Sequence, residues 1–328
     1  MLQLLRSAKE VARNVLQSRY WPDRPQQLNF EITAACDARC IHCPRLDMDR
    51  PAMPMKWELF CKMIDEAAAL GVPYICPNGY GEICTIPMRT LVPHFDYMTD
   101  RCPSAKIIIN TNGHRMFEDR AELFIKHKVH LVNVTIDGAT AATAEAIRVG
   151  LKFDQIEANI KKLLALRDAA GAKRPKVRVG MVAMPQTIPE VEPFFARWEG
   201  IADYVGIGGF SSRLTSVGPG PERPAPELLQ LGQPGKPAPP PQPRASACVL
   251  PFKDLNIWAD GKAVLCCDDW NEEHVVGDLN SESLKDIWHS PRMEEVRRKH
   301  IAKAGHEVAL CAKCDNWQQP GWGARLWA

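Results

Sequence analysis

No apolar run in these 328 residues is long enough to cross a bilayer, and the opening segment MLQLLRSAKEVARNVLQSRYW lacks the continuous apolar stretch and small-residue cleavage site of a secretion signal. The expectation is a cytoplasmic chain with no membrane partner. An excess of one charge is missing as well: 41 basic and 39 acidic residues, spread along the chain, leave a formal net charge of +2, which gives no footprint for nucleic acid. A small-molecule or peptide substrate is expected instead. Nor is there a glycine fingerprint for a nucleotide, so the strand and helix pattern below cannot be read as a dinucleotide fold. What the chain does have is cysteine, 12 residues of it. In a reducing compartment these are hard to explain as disulfides, and metal ligation is the standing alternative.

Residues 4–19 place Leu4, Ala8, Val11 and Val15 at helical spacing, so residues 1–27 are expected to contribute an amphipathic helix. From Leu28 onward a strand-then-helix alternation recurs. LNFEIT, PYICPNG, KIIINTNG, LVNVTIDG, KVRVGMVAM and DYVGIGGF read as strands, with helices between them such as WELFCKMIDEAAALG and FDQIEANIKKLLALRDAAG. Short apolar strands joined by helices favour a parallel sheet with right-handed crossovers, here a partial (β/α)6 TIM-like barrel over residues 28–216. In such barrels chemistry sits at the carboxyl ends of the strands, and Cys36, Glu82, Asn112 and Asp137 follow strands one to four. Residues 217–247 are rich in proline and glycine and read as a linker. Beyond it, within residues 248–328, DLNIWADGKAVLCCDD suggests a hairpin around Asp260–Gly261, and SLKDIWHSPRMEEVRRKHIAKA a helix. This second module is too small to be stable unaided, and a metal cluster would supply what it lacks.

Cys36-Asp-Ala-Arg-Cys40-Ile-His-Cys43 presents three thiols within eight residues, just after the first strand. Thiolate is the ligand iron–sulfur clusters select, and three cysteines leave one iron of a four-iron cluster open; a zinc site would want four closed ligands. His42 would have to turn inward between two cysteines to serve as the fourth. The C-x3-C-x2-C spacing resembles the signature of the radical S-adenosylmethionine (SAM) enzymes. The resemblance implies a [4Fe–4S] cluster on Cys36, Cys40 and Cys43 whose open iron binds SAM, and reductive cleavage to a 5′-deoxyadenosyl radical that abstracts a substrate hydrogen. It also implies a flavodoxin- or ferredoxin-type electron donor. Gly79-Tyr-Gly81-Glu82 resembles the family's G-G-E segment, which meets the methionine ammonium, with Tyr80 standing between the glycines and Ile83 where proline is usual. Asn112 and Gly113 resemble its T-N-G turn, Thr135 and Asp137 its S-x-D-G strand end, and Arg148 the arginine that meets the methionine carboxylate. Gly180 and Val182 would flank the adenine.

Cys248, Cys266, Cys311 and Cys314 form the second group. Four thiolates closing on a C-x-x-C also suit structural zinc. Taken with the first motif, the C-x12-G-x4-C arrangement resembles the SPASM and shortened twitch extensions of radical SAM enzymes. That resemblance implies a SPASM/twitch-like iron–sulfur domain with one auxiliary [4Fe–4S] cluster, most similar in cysteine pattern to twitch-type dehydrogenases of aminoglycoside biosynthesis. Cys267 competes with Cys266, though a strand would put it on the opposite face as a buried thiol. The leading expectation is therefore dehydrogenation of a small molecule such as a sugar or cyclitol, with the auxiliary cluster taking an electron. A peptide-modifying maturase uses the same machinery, although only about 28 residues precede the first strand, few for a separate recognition domain. A redox-neutral epimerase would need a thiol hydrogen donor, for which Cys84, just beyond the Gly81–Glu82 turn, is the candidate. A non-catalytic iron–sulfur or zinc module is the remaining alternative. His114, Arg115, Arg213 and Asp268 are expected near the substrate space.

Overall fold

The computed structural model describes residues 22–208 and 247–314; the expected N-terminal helix over residues 4–19 and the linker core over residues 218–243 lie outside them. Six parallel strands build the barrel wall: β1 (Gln27–Phe30), β3 (Tyr74–Cys76), β4 (Lys106–Thr111), β5 (Leu131–Thr135), β7 (Lys176–Val182) and β8 (Tyr204–Gly208). Alternation decides which way each strand faces. Leu28, Phe30, Ile75, Ile107, Ile109, Val132, Val134, Val177 and Val179 are buried in the main apolar core, under the helices that connect the strands. The intervening positions, Asn29, Glu31, Cys76, Asn110, Asn133 and Arg178 among them, face the barrel interior.

The connecting helices are α1 (Trp57–Leu70), α2 (Met88–Arg101), α3 (Glu118–Lys126), α4 (Ala141–Ile147), α5 (Phe153–Ala169) and α6 (Val191–Trp198). Helix α1 shows why they form. Leu59, Phe60, Met63, Ile64 and Ala67 recur on one face and are buried, and the helix stops at Gly71, whose φ of 63° takes the left-handed cap. A second, two-stranded sheet joins two loops of the chain: β2 (Arg39–Cys40), between β1 and β3, runs antiparallel to β6 (Arg148–Val149), between β5 and β7.

The second cysteine-bearing segment does not stand apart. After α7 (Leu250–Lys253), strand β9 (Asp254–Ile257) pairs in parallel with β1 along its whole length, Gln27 opposite Asp254 and Phe30 opposite Ile257. Strands β10 (Lys262–Val264) and β11 (Val275–Asp278) continue antiparallel, so nine strands form one sheet in the order β11-β10-β9-β1-β3-β4-β5-β7-β8. The module thus draws support from the barrel as well, its first strand pairing with the backbone of β1. The hairpin at Asp260–Gly261 forms as expected, but β11 was not legible, and the expected single C-terminal helix is two, α8 (Leu284–Trp288) and α9 (Pro291–Ile301). Ser290 breaks them apart, its hydroxyl capping Met293 N with Pro291 at the first helical position. A short α10 (Ala309–Lys313) carries Cys311. No helix among the described residues is long and apolar enough to cross a membrane.

Candidate functional site

The loop holding Cys36, Cys40 and Cys43 emerges from the carboxyl end of β1 and is fixed from three sides. Cys40 lies in β2 opposite Arg148 of β6, with Ile41 N donating to Ile147 O at 2.9 Å. An Arg148 guanidinium nitrogen sits 3.9 Å from Cys40 Sγ and another 2.7 Å from Asp137 Oδ2. Asp137, itself at a φ of 63°, uses its other oxygen to accept Val182 N at 2.7 Å. The third anchor is Asp37, which sequence reasoning passed over although it directly follows the first cysteine. Its oxygens accept Asn112 Nδ2 at 2.9 Å, His114 Nδ1 at 3.0 Å and Arg115 Nε at 3.2 Å. His114 and Arg115, expected near substrate, are committed to this loop instead, and Arg213 lies outside the described residues. Burial acts to raise the Asp37 carboxyl, but the bonds from His114 and Asn112 outweigh it and hold it below its ordinary value.

Glu82 is buried, and three donors converge on it: Cys84 N at 3.0 Å and the Thr111 hydroxyl at 2.6 Å on one oxygen, Asn112 N at 2.7 Å on the other. Burial pushes its pKa up, and the donors pull the other way. Gly79 and Gly81 are required by close approach. A Cβ on Gly79 would sit 2.0 Å from the Glu31 side chain, and one on Gly81 1.9 Å from the Thr33 carbonyl oxygen. Thr135 lies opposite Gly180 across β5 and β7. Cys84 is a correction. It is 0% exposed within the main core, with the Thr111 hydroxyl 3.5 Å from its sulfur and the buried Glu82 carboxylate also beside it, so its thiol does not reach the mouth of the barrel.

At the second group, Cys248 lies within electrostatic reach of Cys311 and Cys314, and Cys266 within reach of Cys248 and Cys311. His300, 1% exposed and also missed by sequence, joins two of them: Cys248 N donates to its Nδ1 at 3.3 Å, and its Nε2 faces Cys311 Sγ at 3.4 Å. The strand argument about Cys267 is corrected too. Strand β10 stops at Val264, both cysteines lie in the following turn, and Cys267 is only half-buried, 3.5 Å from Asp268. Asp268 in turn sits 3.9 Å from Cys314 Sγ, beside the cysteines rather than facing open space.

Both groups consist of thiols, the donor type for iron–sulfur clusters. Burial pushes Cys36 up to about 11 and Cys40 up to about 12, and Cys248 and Cys266 well above the ordinary thiol range. Such thiols ionise only when a cationic group offsets the burial, which a metal cluster does. Among the described residues no three His, Cys, Asp or Glu side chains gather tightly enough for a single metal ion, whereas a cubane cluster takes one thiolate at each iron and spreads its ligands.

The two loops are clamped together. Glu31, 0% exposed, takes both guanidinium nitrogens of Arg50 at 2.6 and 2.7 Å and Tyr80 N at 2.7 Å. Arg50 also donates to Trp270 O at 2.8 Å and lies 5.1 Å from the centre of the Trp258 ring. The Tyr80 hydroxyl donates to Cys267 O at 2.6 Å. Tyr80, the departure from the usual glycine pair, is therefore the residue that touches the second cysteine turn.

Comparison with known proteins agrees with this geometry. The radical SAM superfamily profile matches residues 30–196, and an iron–sulfur cluster-binding (SPASM) profile matches residues 248–315. Mycofactocin maturase MftC of Mycolicibacterium smegmatis is 26% identical over 190 residues, covering 58% of this chain and 46% of that protein. The chain thus spans about half the length of the curated relatives it matches. The S-adenosyl-L-methionine-dependent 2-deoxy-scyllo-inosamine dehydrogenase of Niallia circulans is 29% identical over 72 residues, 21% of this chain and 28% of that one. In fold, the chain resembles BtrN in complex with AdoMet and 2-DOIA, with a TM-score of 0.56 at 19% identity, covering 89% and 93% of the two chains. It also resembles Streptococcus suis SuiB bound to precursor peptide SuiA, with a TM-score of 0.64 at 14% identity, covering 90% and 72%. A partial TIM-like barrel joined to a cluster-binding segment is thus the fold of the molecule, SAM and [4Fe–4S] clusters are its cofactors, and the chain belongs to the radical SAM superfamily, with a SPASM domain at its C-terminal side.

Proposed function

We propose that this radical SAM enzyme is an oxidoreductase that dehydrogenates a hydroxyl-bearing small molecule. The observation that carries the reading is the gathering of Cys248, Cys266, Cys311 and Cys314 around His300 and Asp268, a complete set of four thiols. A cluster with no open iron suits electron transfer better than substrate binding. Bound at the two groups, the cofactors supply a 5′-deoxyadenosyl radical that abstracts hydrogen and an auxiliary cluster that accepts the substrate's electron. The chain's own part is to position them. Cys36, Cys40 and Cys43 hold the first cluster, and the Asp37 and Arg148 clips keep that loop over the barrel mouth. Gly79, Gly81, Glu82, Asn112, Thr135, Asp137 and Arg148 form the SAM seat, within a barrel running over residues 28–216. A flavodoxin- or ferredoxin-type partner supplies the reducing electron, and cysteines without a disulfide among the described residues suit a cytoplasmic setting.

Peptide maturation is the second reading, favoured by the identity to the mycofactocin maturases. Epimerisation loses its hydrogen donor, because Cys84 is enclosed in the core. The test is anaerobic reconstitution, with about eight irons per chain and 5′-deoxyadenosine formation expected. Incubation with candidate cyclitols and peptides follows, and a small-molecule product lighter by two hydrogens supports the proposal. Zinc without SAM cleavage would overturn it, and a modified peptide as the sole product would replace dehydrogenation with maturation.

A further inference from the structure

Arg178 stands in register with Asn133 of β5 and, through it, Asn110 of β4, all on the inward side of the barrel wall. Solvent reaches this interior, since Asn110 is exposed. Asn110 is fully engaged, its Nδ2 donating to Cys76 Sγ at 3.2 Å, but two amides linked to it, Asn133 and Asn78, are only partly satisfied. Asn133 Nδ2 donates to Asn110 Oδ1 at 2.9 Å and Asn78 Oδ1 accepts Asn110 N at 2.8 Å. Asn133 Oδ1 and Asn78 Nδ2, however, are buried atoms with no partner among the described residues. Groups of this kind carry a desolvation cost unless something polar meets them.

The Arg178 guanidinium is half-buried, and among the described residues no carboxylate or carbonyl meets it; burial alone acts on its pKa, lowering it. The nearby acids are engaged elsewhere: Glu31 with Arg50, and Asp203 with Lys176 and Arg167. The guanidinium lies across Gly206 of β8, where a Cβ would come within 2.6 Å of it. One step toward the carboxyl ends of the strands, Gly180 is bare, and a Cβ there would meet nothing closer than 3.7 Å. Gly180 therefore leaves room for a methyl group beside Arg178, and it stands opposite Thr135, on the side where the proposed SAM seat lies.

We infer that the barrel interior at Arg178, Asn133 and Asn78 is a substrate anchor for a carboxylate-bearing molecule, the guanidinium taking the carboxylate and the free amide groups taking its hydroxyls. This rests on the oxidoreductase reading and adds the substrate's anionic group to it. One cation without an acid matches one negative charge, and a planar fork matches a carboxylate. A phosphate, with nearly two charges, would call for a second cation facing the same space.

Selective modification of the anaerobically reconstituted full chain by phenylglyoxal tests this, with labelling of the Arg178 peptide followed by mass spectrometry. Glycolate should protect Arg178 saturably, while glycolamide and sodium chloride at equal ionic strength should not. Gly206→Ala, which keeps the arginine but pushes its guanidinium aside, should raise the half-protecting glycolate concentration at least tenfold. Protection by glycolamide equal to that by glycolate, or no protection at all, overturns the proposal. Tighter protection by inorganic phosphate than by glycolate overturns the carboxylate assignment. Formation of 5′-deoxyadenosine in the same wild-type preparation needs no glycolate, so failure of the radical reading shows separately.

Discussion

Glu82 behaves less like a free ligand than like a bracket. A carboxylate offers two accepting oxygens, and here they take Cys84 N, the Thr111 hydroxyl and Asn112 N, joining the Gly79–Gly81 turn to the end of β4. Glu82→Gln replaces one acceptor with an NH2 that must face a donor. The expected cost is about 1–3 kcal/mol, read as a lowered denaturation midpoint in the cofactor-loaded protein. Asp254 gives a pH signature. Burial pushes its carboxyl up to about 7, with Lys253 and Asn29 pulling the other way. The folded chain prefers the protonated form, so this contribution is full below about pH 4, the unfolded carboxyl's range, and is lost as pH rises through about 7. Asp254→Asn should flatten the decline in stability over that window relative to the parent, measured by denaturant titration at each pH; parallel profiles would refute it. At this scale the sequence was legible where spacing carried the signal. The cysteines and Arg148 could be singled out as candidates because a motif fixes their separations, whereas Asp37 and His300 could not, because they act through contacts that only folding makes, Asp37 across to residues 112–115 and His300 back to Cys248.

Among the elements, the six barrel strands were readable as short apolar runs separated by helical segments, and the helices because their apolar residues recur every three to four positions. Strand β11 and the break between α8 and α9 were not, since β11 is held by its neighbour β10 and a capping serine is indistinguishable from any other serine until its partner is placed. The turn after β3 makes the strongest element-level demand. Gly81→Ala puts a methyl into the Thr33 carbonyl, and backbone cannot swing away as a side chain can. Loss of about 1–3 kcal/mol or more is expected, with the Glu82 bracket displaced and iron retention at the first cluster reduced. Normal stability with full iron content in this variant would show that the turn yields more easily than its contacts suggest.

Across the whole molecule, continuity of the sheet makes the two cysteine segments one thermodynamic unit. Stripping iron with a chelator, or substituting Cys311→Ser, should lower the melting temperature of the barrel in a single transition seen alike by far-ultraviolet circular dichroism and tryptophan fluorescence. Two separated transitions would mean that the β1–β9 ladder is too weak to couple them. The pairing of Gln27–Phe30 with Asp254–Ile257 has a consequence for synthesis as well. Strand β1 is translated well ahead of its neighbour β9, with 227 positions separating the paired Asn29 and Asn256, a very long loop to close. Until then β1 offers bare hydrogen-bonding groups along one edge, an invitation to join another nascent chain. The second cysteine group is also incomplete at that stage, since Cys266, Cys311 and Cys314 follow β9. Expression at lower temperature, or slower translation with chaperone present, should raise the yield of native protein more than added iron does.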